Sequence, residues 1–207
     1  MKAVLISIQP KWVEKIANGE KTIEVRKSRP KLQTPFKVYI YETQGEYKTG
    51  TGIFAYGIEL KGTKKGKGKV VGEFVCDKVL EWKYLSDHTD ENEYEYYIVS
   101  KDGHATCLTY DEIENYGKGK TLYGWHISEL KIYDKPKELS EFELACHCFN
   151  IKNVECKTNA FGEYVFQHND NSFCRICKYY NSDFGDCDKP AFQPLKRPPQ
   201  SWCYIEN

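Results

Sequence analysis

Residues 3 to 8 are apolar and rich in β-branched side chains, and the pattern predicts a strand. Pro10 then suits the first position of a helix, where its missing N–H would have had no partner. Trp12, Val13, Ile16 and Ala17 recur at helical spacing, and Asn18-Gly19 supplies a stop. From Lys21 to Lys27 the spacing changes to strict alternation. Ile23 and Val25 fall on one face, which reads as core; Thr22, Glu24 and Arg26 fall on the other. Strand, short helix, strand is the predicted opening.

Phe36, Val38 and Ile40 alternate with Lys37, Tyr39 and Tyr41, which predicts another strand. Residues 42–52 read as a polar, glycine-punctuated excursion, 53–60 as a short strand, and the lysine-glycine stretch 61–69 as a basic loop. Strand character returns from Val70 to Leu80. Thr109 and Glu112 have the spacing of a capping box, opening a helix that runs through Tyr116 and closes at Gly117. Thr121 to Tyr133 reads as one long strand with a bulge or bend at Gly124. After Pro136 the composition shifts: 138–145 look briefly helical, and 146–190 are polar, cysteine-rich and weakly periodic. Four prolines between 190 and 199 then lead to a strand-like Trp202-Cys203-Tyr204-Ile205, which needs a partner for its backbone groups and is expected to return to the main body, with Lys196 to Trp202 either lining a ligand cleft or serving as a clasp that buries Trp202. Many short strands with few helices predict a mixed α+β, mainly β fold: a small β-barrel with one or two packed helices over residues 1–135, followed by a cysteine-rich C-terminal appendage over 136–207.

With 40% hydrophobic residues in 207, the chain has material for a core, which excludes wholesale disorder. No apolar run approaches the roughly 20 residues of a membrane-spanning helix, and the apolar start is too short for a secretory signal. No membrane partner and a cytoplasmic location are therefore expected. Formal net charge is +0, yet residues 1–70 hold 15 Lys+Arg against 6 Asp+Glu, leaving 15 against 24 for the rest. A basic half and an acidic half suggest one surface suited to an anion.

Nine cysteines cannot all pair within one chain, and seven of them crowd the last third. Cys174-Arg175-Ile176-Cys177 places two thiolates where one metal ion can be gripped from a tight turn, and Cys187 follows within reach. Cys156 is the expected fourth ligand, with Cys146, His147, Cys148, His168 and Cys203 as alternatives. A structural zinc is expected there, because the segment has too little apolar periodicity to offset its ordering entropy by burial.

The remaining chemistry lies near the N-terminus. Alternation sets Glu24 and Arg26 side by side, with Lys21 at the strand entrance. Such a group can hold a ligand by charge and by the forked donors of arginine, or be an ordinary surface ion pair. The stretch Gly19-x-Lys21-x-x-Glu24-x-Arg26, following a strand-helix unit that contains Pro10-Lys11-Trp12, resembles the signature of the ASCH (activating signal cointegrator homology) domain. Val70-Val71-Gly72-Glu73-Phe74 and Tyr123-Gly124-Trp125-His126-Ile127 continue the likeness in the family's order over about residues 1–135. The resemblance implies a PUA-like barrel with a cleft beside the motif, and a role in binding RNA, a nucleotide or a modified nucleoside. Lys21, Glu24 and Arg26 would bind the ligand, with Trp12, Tyr39, Tyr41 and Trp125 as candidate stacking planes by topology, each with barrel core as its alternative. It also implies two activities seen among similar proteins, hydrolysis of an acylated cytidine, for which Lys21 matches the motif's lysine, and ribonuclease action; Lys21 and Glu24 as an acid–base pair, with Arg26 beside them, would carry either. Glu24 stands where the amidohydrolases carry a threonine, and Glu91, Glu93 and Glu95 compete for the distal glutamate. A third reading makes the zinc appendage a protein-interaction module.

Overall fold

The computed structural model describes residues 2–55, 58–89, 92–97, 101–144, 154–158, 164–168, 180–181, 186–187 and 194–206, with side chains over 3–47, 63–84, 104–143 and 194–205. The opening follows the hydrophobic pattern closely. Strand β1 (Lys2–Ile8) leads into helix α1 (Pro10–Ala17), then β2 (Ile23–Arg26) and β3 (Phe36–Glu42). Pro10 occupies the first turn as its chemistry favours. At the other end Gly19 takes a left-handed backbone at φ 75°. Its N–H reaches the Ile16 carbonyl while that of Glu20 reaches Lys15, which is a Schellman stop. A side chain at position 19 would strain that turn.

The chain continues as a hairpin of β4 (Glu46–Ala55) and β5 (Ile58–Lys65), then β6 (Val70–Cys76), β7 (Val79–Trp82), β8 (Tyr84–Thr89) and β9 (Asn92–Tyr97). A 3-10 turn (Lys101–Thr106) and helix α2 (Tyr110–Gly117) precede β10 (Leu122–His126) and β11 (Ser128–Lys137). Thr109 and Glu112 make the reciprocal capping box, and Lys118 rather than Gly117 takes the left-handed position that ends α2. A 3-10 turn at Leu139–Glu141 and β12 (Glu143–Leu144) stand where 138–145 looked helical. The last strands are β13 (Val154–Thr158), β14 (Tyr164–His168), β15 (Tyr180–Asn181), β16 (Asp186–Cys187) and β17 (Trp202–Glu206).

Six strands form the main sheet in the order β11-β6-β3-β1-β17-β12, and β2-β10-β7 form a second sheet. Strand β17 pairs antiparallel with β1, Trp202 opposite Ile6, so the main sheet takes two strands from beyond residue 135. β1 and β3 are parallel, which demands a crossover. The crossover is α1 and β2, and it carries the charged motif past the end of β1.

Two stretches that read as single strands, 70–80 and 121–133, each break at a corner. β6 and β11 stay in the main sheet, while β7 and β10 turn into the second. The His126 N–H donates to the Lys78 carbonyl at 2.9 Å and that of Ile127 to Thr22 at 2.8 Å, tying the corner together. Gly124 is no bulge. It sits flat in β10, where a Cβ would come within 2.9 Å of Ile23 and 3.1 Å of Trp82. The irregularity lies after Ser128.

The sheets meet at this corner without closing into the expected barrel. The free edge of β2 meets the 3-10 turn instead of a strand, Thr22 N–H donating to Ala105 at 2.9 Å. Between the sheets lies the largest core, with Val4, Ile6, Val38, Ile40, Phe74 and Trp125. A second core covers the far face of the main sheet, and a third lies between the second sheet and α2. The basic stretch 61–69 also differs from expectation, because it is largely strand β5, paired with β4 and bringing Lys65 opposite Glu46. Opposite charges across a hairpin favour such pairing. Among the described residues no helix is long and apolar enough to cross a membrane.

Candidate functional site

Strand β2 turns its two faces to different cores. Ile23 and Val25 pack with Trp82, Ile113 and Leu122 in the third core. Glu24 lies opposite Trp125, a fully buried member of the core between the sheets. The Glu24–Arg26 face therefore points inward, and the expectation that it is the non-core face is corrected. Lys21 is 2% and Glu24 5% exposed.

Three charges in so dry a place must satisfy one another. One Glu24 carboxylate oxygen lies 3.0 Å from the Arg26 guanidinium and the other 3.3 Å from Lys21 Nζ. Lys21 also donates to the Thr106 carbonyl at 2.7 Å, and Arg26 to the Ser7 carbonyl at 2.6 Å. The Schellman turn aims Lys21 inward, its own N–H being held by Lys15. Arg26 Nε is buried without a hydrogen-bond partner among the described residues.

Above this triad opens a cavity of about 560 Å³. Its floor is Lys21, Glu24, Val25 and Arg26. The end of β1 and the start of α1 contribute Ser7, Ile8, Gln9, Lys11 and Trp12, and Thr43 follows β3. Leu108, Glu112 and Tyr116 come from α2 and its approach, and Gln200 and Ser201 from just before β17. Lys11 and Glu112 form an ion pair at 3.3 Å that links the two helices. The Thr109 backbone N–H and Lys11 hold the Glu112 carboxyl below the usual range despite its partial burial. Lys11 stands 4.0 Å from the centre of the Trp12 ring and Lys21 5.2 Å. Three cations and two carboxylates line the space, so its charge is close to balanced rather than strongly basic.

The C-terminal wall is fixed by Ser7. Its N–H donates to Ser201 at 2.9 Å, and its hydroxyl to the Pro199 carbonyl at 2.6 Å. A single residue thus links that wall to Arg26.

Of the residues expected to bind, Lys21, Glu24, Arg26 and Trp12 come together here. Tyr39 and Tyr41 do not line the cavity; they belong to the second core, on the far face of the main sheet, where burial raises both phenols. β3 is central and covered on both sides, so its alternate residues serve two cores. Lys11, Glu112 and Tyr116 were not anticipated as site residues, although the capping box had already placed Glu112 on α2, while Gln200 and Ser201 belong to the 196–202 segment that could line the cleft. Cys174 and Cys177 lie outside the described residues, as do the side chains of Cys156, Cys187, Glu91, Glu93 and Glu95. Cys203 packs against the second core, where burial pushes its thiol up to about 11. Among the described residues no cluster of three metal-ligating side chains occurs.

No curated protein matches the chain. Among solved structures, similarity extends to ASCH from Zymomonas mobilis, at 16% identity over 66% of this chain and 73% of that one, with a TM-score of 0.44. A tyrosine-to-phenylalanine variant of that protein gives 16%, 67%, 77% and 0.44 for the same quantities. A serine-to-alanine variant gives 17%, 66%, 74% and 0.43. The family model of the ASCH domain matches residues 6–158, a stretch that contains the whole charged triad, both helices and well over half of the sequence. The chain belongs to the ASCH domain family.

Proposed function

We propose that the cleft binds one nucleoside unit, either free or as an unstacked nucleotide of RNA. The observation that carries this reading is the buried Lys21–Glu24–Arg26 triad on the floor of an aromatic-walled cavity. Its volume falls within the roughly 300–1,000 Å³ span of small-ligand clefts. Trp12 and Tyr116 offer planes for a base, and the polar groups around the floor offer donors and acceptors for its edge. With charges nearly balanced, stacking and hydrogen bonding select the occupant more than net charge does.

A second reading, hydrolysis of an acylated cytidine or of RNA, draws on the 3.3 Å contact of Lys21 with Glu24. Both carboxylate oxygens are already engaged by cations, which favours binding over proton transfer. Calorimetric titration with ribonucleosides, their monophosphates and a short RNA tests the proposal. Saturable binding is expected, weakened by about 1–3 kcal/mol in Trp12→Ala and unchanged in Tyr41→Phe, with no product on prolonged incubation. Absence of binding by every ligand, or indifference to Trp12→Ala, would overturn it; product release lost in Lys21→Ala would establish the second reading.

A further inference from the structure

The two longest stretches free of acidic residues are 25–41 and 189–205. Within the described residues the fold docks 28–31 and 202–204 on each other. Trp202 Nε1 donates to the Ser28 hydroxyl at 3.1 Å, and the Lys31 N–H donates to the Tyr204 hydroxyl at 2.7 Å. The Trp202 ring packs on Trp125, 5.8 Å between centroids, and Tyr204 on Trp202, at 5.3 Å. This seam fixes the two backbones side by side and leaves five of their cations outside. Lys27, Arg29, Lys31, Lys196 and Arg197 are all exposed, and among the described residues no carboxylate pairs with any of them.

The patch adjoins the cleft once in space and once along the chain. Lys27 follows Arg26 of the floor and lies 4.9 Å from the ring centre of Tyr116, a wall residue. Arg197 precedes the Gln200–Ser201 wall by three residues. The hairpin lysines differ. Lys64 is held by Glu14, which also accepts from Tyr47, and Lys69 by Glu138.

We infer that the cations of 27–31 and 196–197 form a track for the phosphodiester backbone of single-stranded RNA, guiding one of its nucleotides into the cleft. This rests on the cleft reading above and adds the polymer. Exposed, unpaired cations on a rigid seam neutralise phosphates without reading bases, and each phosphate neutralised releases counterions. The C-terminal half of the track comes from beyond the family-matched residues 6–158.

The test uses the full chain and a fluorescein-labelled 12-nucleotide oligouridylate, titrated from 50 to 200 mM salt, beside calorimetry with uridine. Four phosphate contacts would give a log–log salt slope of about −2.8 and a loss of about 50-fold over that range. Arg29→Gln/Lys31→Gln and Lys196→Gln/Arg197→Gln should each flatten the slope by about 1.4, weaken the oligomer and leave uridine binding unchanged. Lys64→Gln/Lys69→Gln, the hairpin-side lysines held by Glu14 and Glu138, should change neither. Thermal melts confirm that each variant folds. If both rim variants keep the parent slope, or if the hairpin variant alone flattens it, the track is wrong. Rim-dependent oligomer binding without uridine binding would support the track while removing the cleft reading.

Discussion

β2 and β3 are both buried on both faces, yet they are built from opposite materials. β3 sends Phe36, Val38 and Ile40 into one core and Tyr39 and Tyr41 into another. β2 sends Ile23 and Val25 into a core of the same kind, but its other face carries Glu24 and Arg26. The apolar strand stabilises by removing area from water, about 25 cal/mol per Å². A buried ion triad gives little net stability, since desolvation offsets most of the attraction. Its place on the floor of a cavity is what supports the proposed ligand site.

Truncations should separate the two strands. Glu24→Ala leaves two buried cations without their carboxylate and is expected to cost about 3–5 kcal/mol in chemical denaturation. Ile40→Ala should cost a comparable 2–5 kcal/mol or so, through a cavity. The distinction lies in binding: the folded fraction of Ile40→Ala should keep its nucleoside affinity, whereas Glu24→Ala should lose it. Equal losses of affinity would erase the contrast between the strands.

A smaller effect concerns the cleft's far wall. Glu112 caps α2 and pairs with Lys11, and these contacts lower its pKa in the folded chain. A depressed carboxylate contributes stability above its unfolded value of about 4.3 and loses it as pH falls through the folded value. Melting temperature against pH should therefore drop less steeply on the acid side in Glu112→Gln. With the side chain 41% exposed, the difference should stay within about 1 kcal/mol. An unchanged acid limb would remove Glu112 from the wall's electrostatics.

Local chemistry was readable where it depends on neighbours in sequence. Pro10 and Gly19 bound α1 as their backbone preferences require, and Thr109 with Glu112 opened α2. The alternation in 21–27 correctly grouped Ile23 with Val25 and Glu24 with Arg26. It could not say which group meets the main sheet, because that is set by Trp125, a hundred residues away. The same blindness sent Tyr39 and Tyr41 to the cleft, since a period of two is silent on whether the polar-looking face is covered. Lysines at 61–69 suggested a loop, whereas a hairpin tolerates them once glutamate stands opposite. Ser7, Gln200 and Ser201 form a wall because β17 returns to β1; the return was legible from the strand's need of a partner, but no short-range signal names β1 as that partner.

The most direct measurement replaces the triad with apolar residues of similar size, Lys21→Met/Glu24→Leu/Arg26→Met, and records unfolding and nucleoside binding on one preparation. Stability is expected to stay within about 2 kcal/mol of the parent while binding disappears. Intact binding in the folded variant would contradict the account, and so would collapse of the fold.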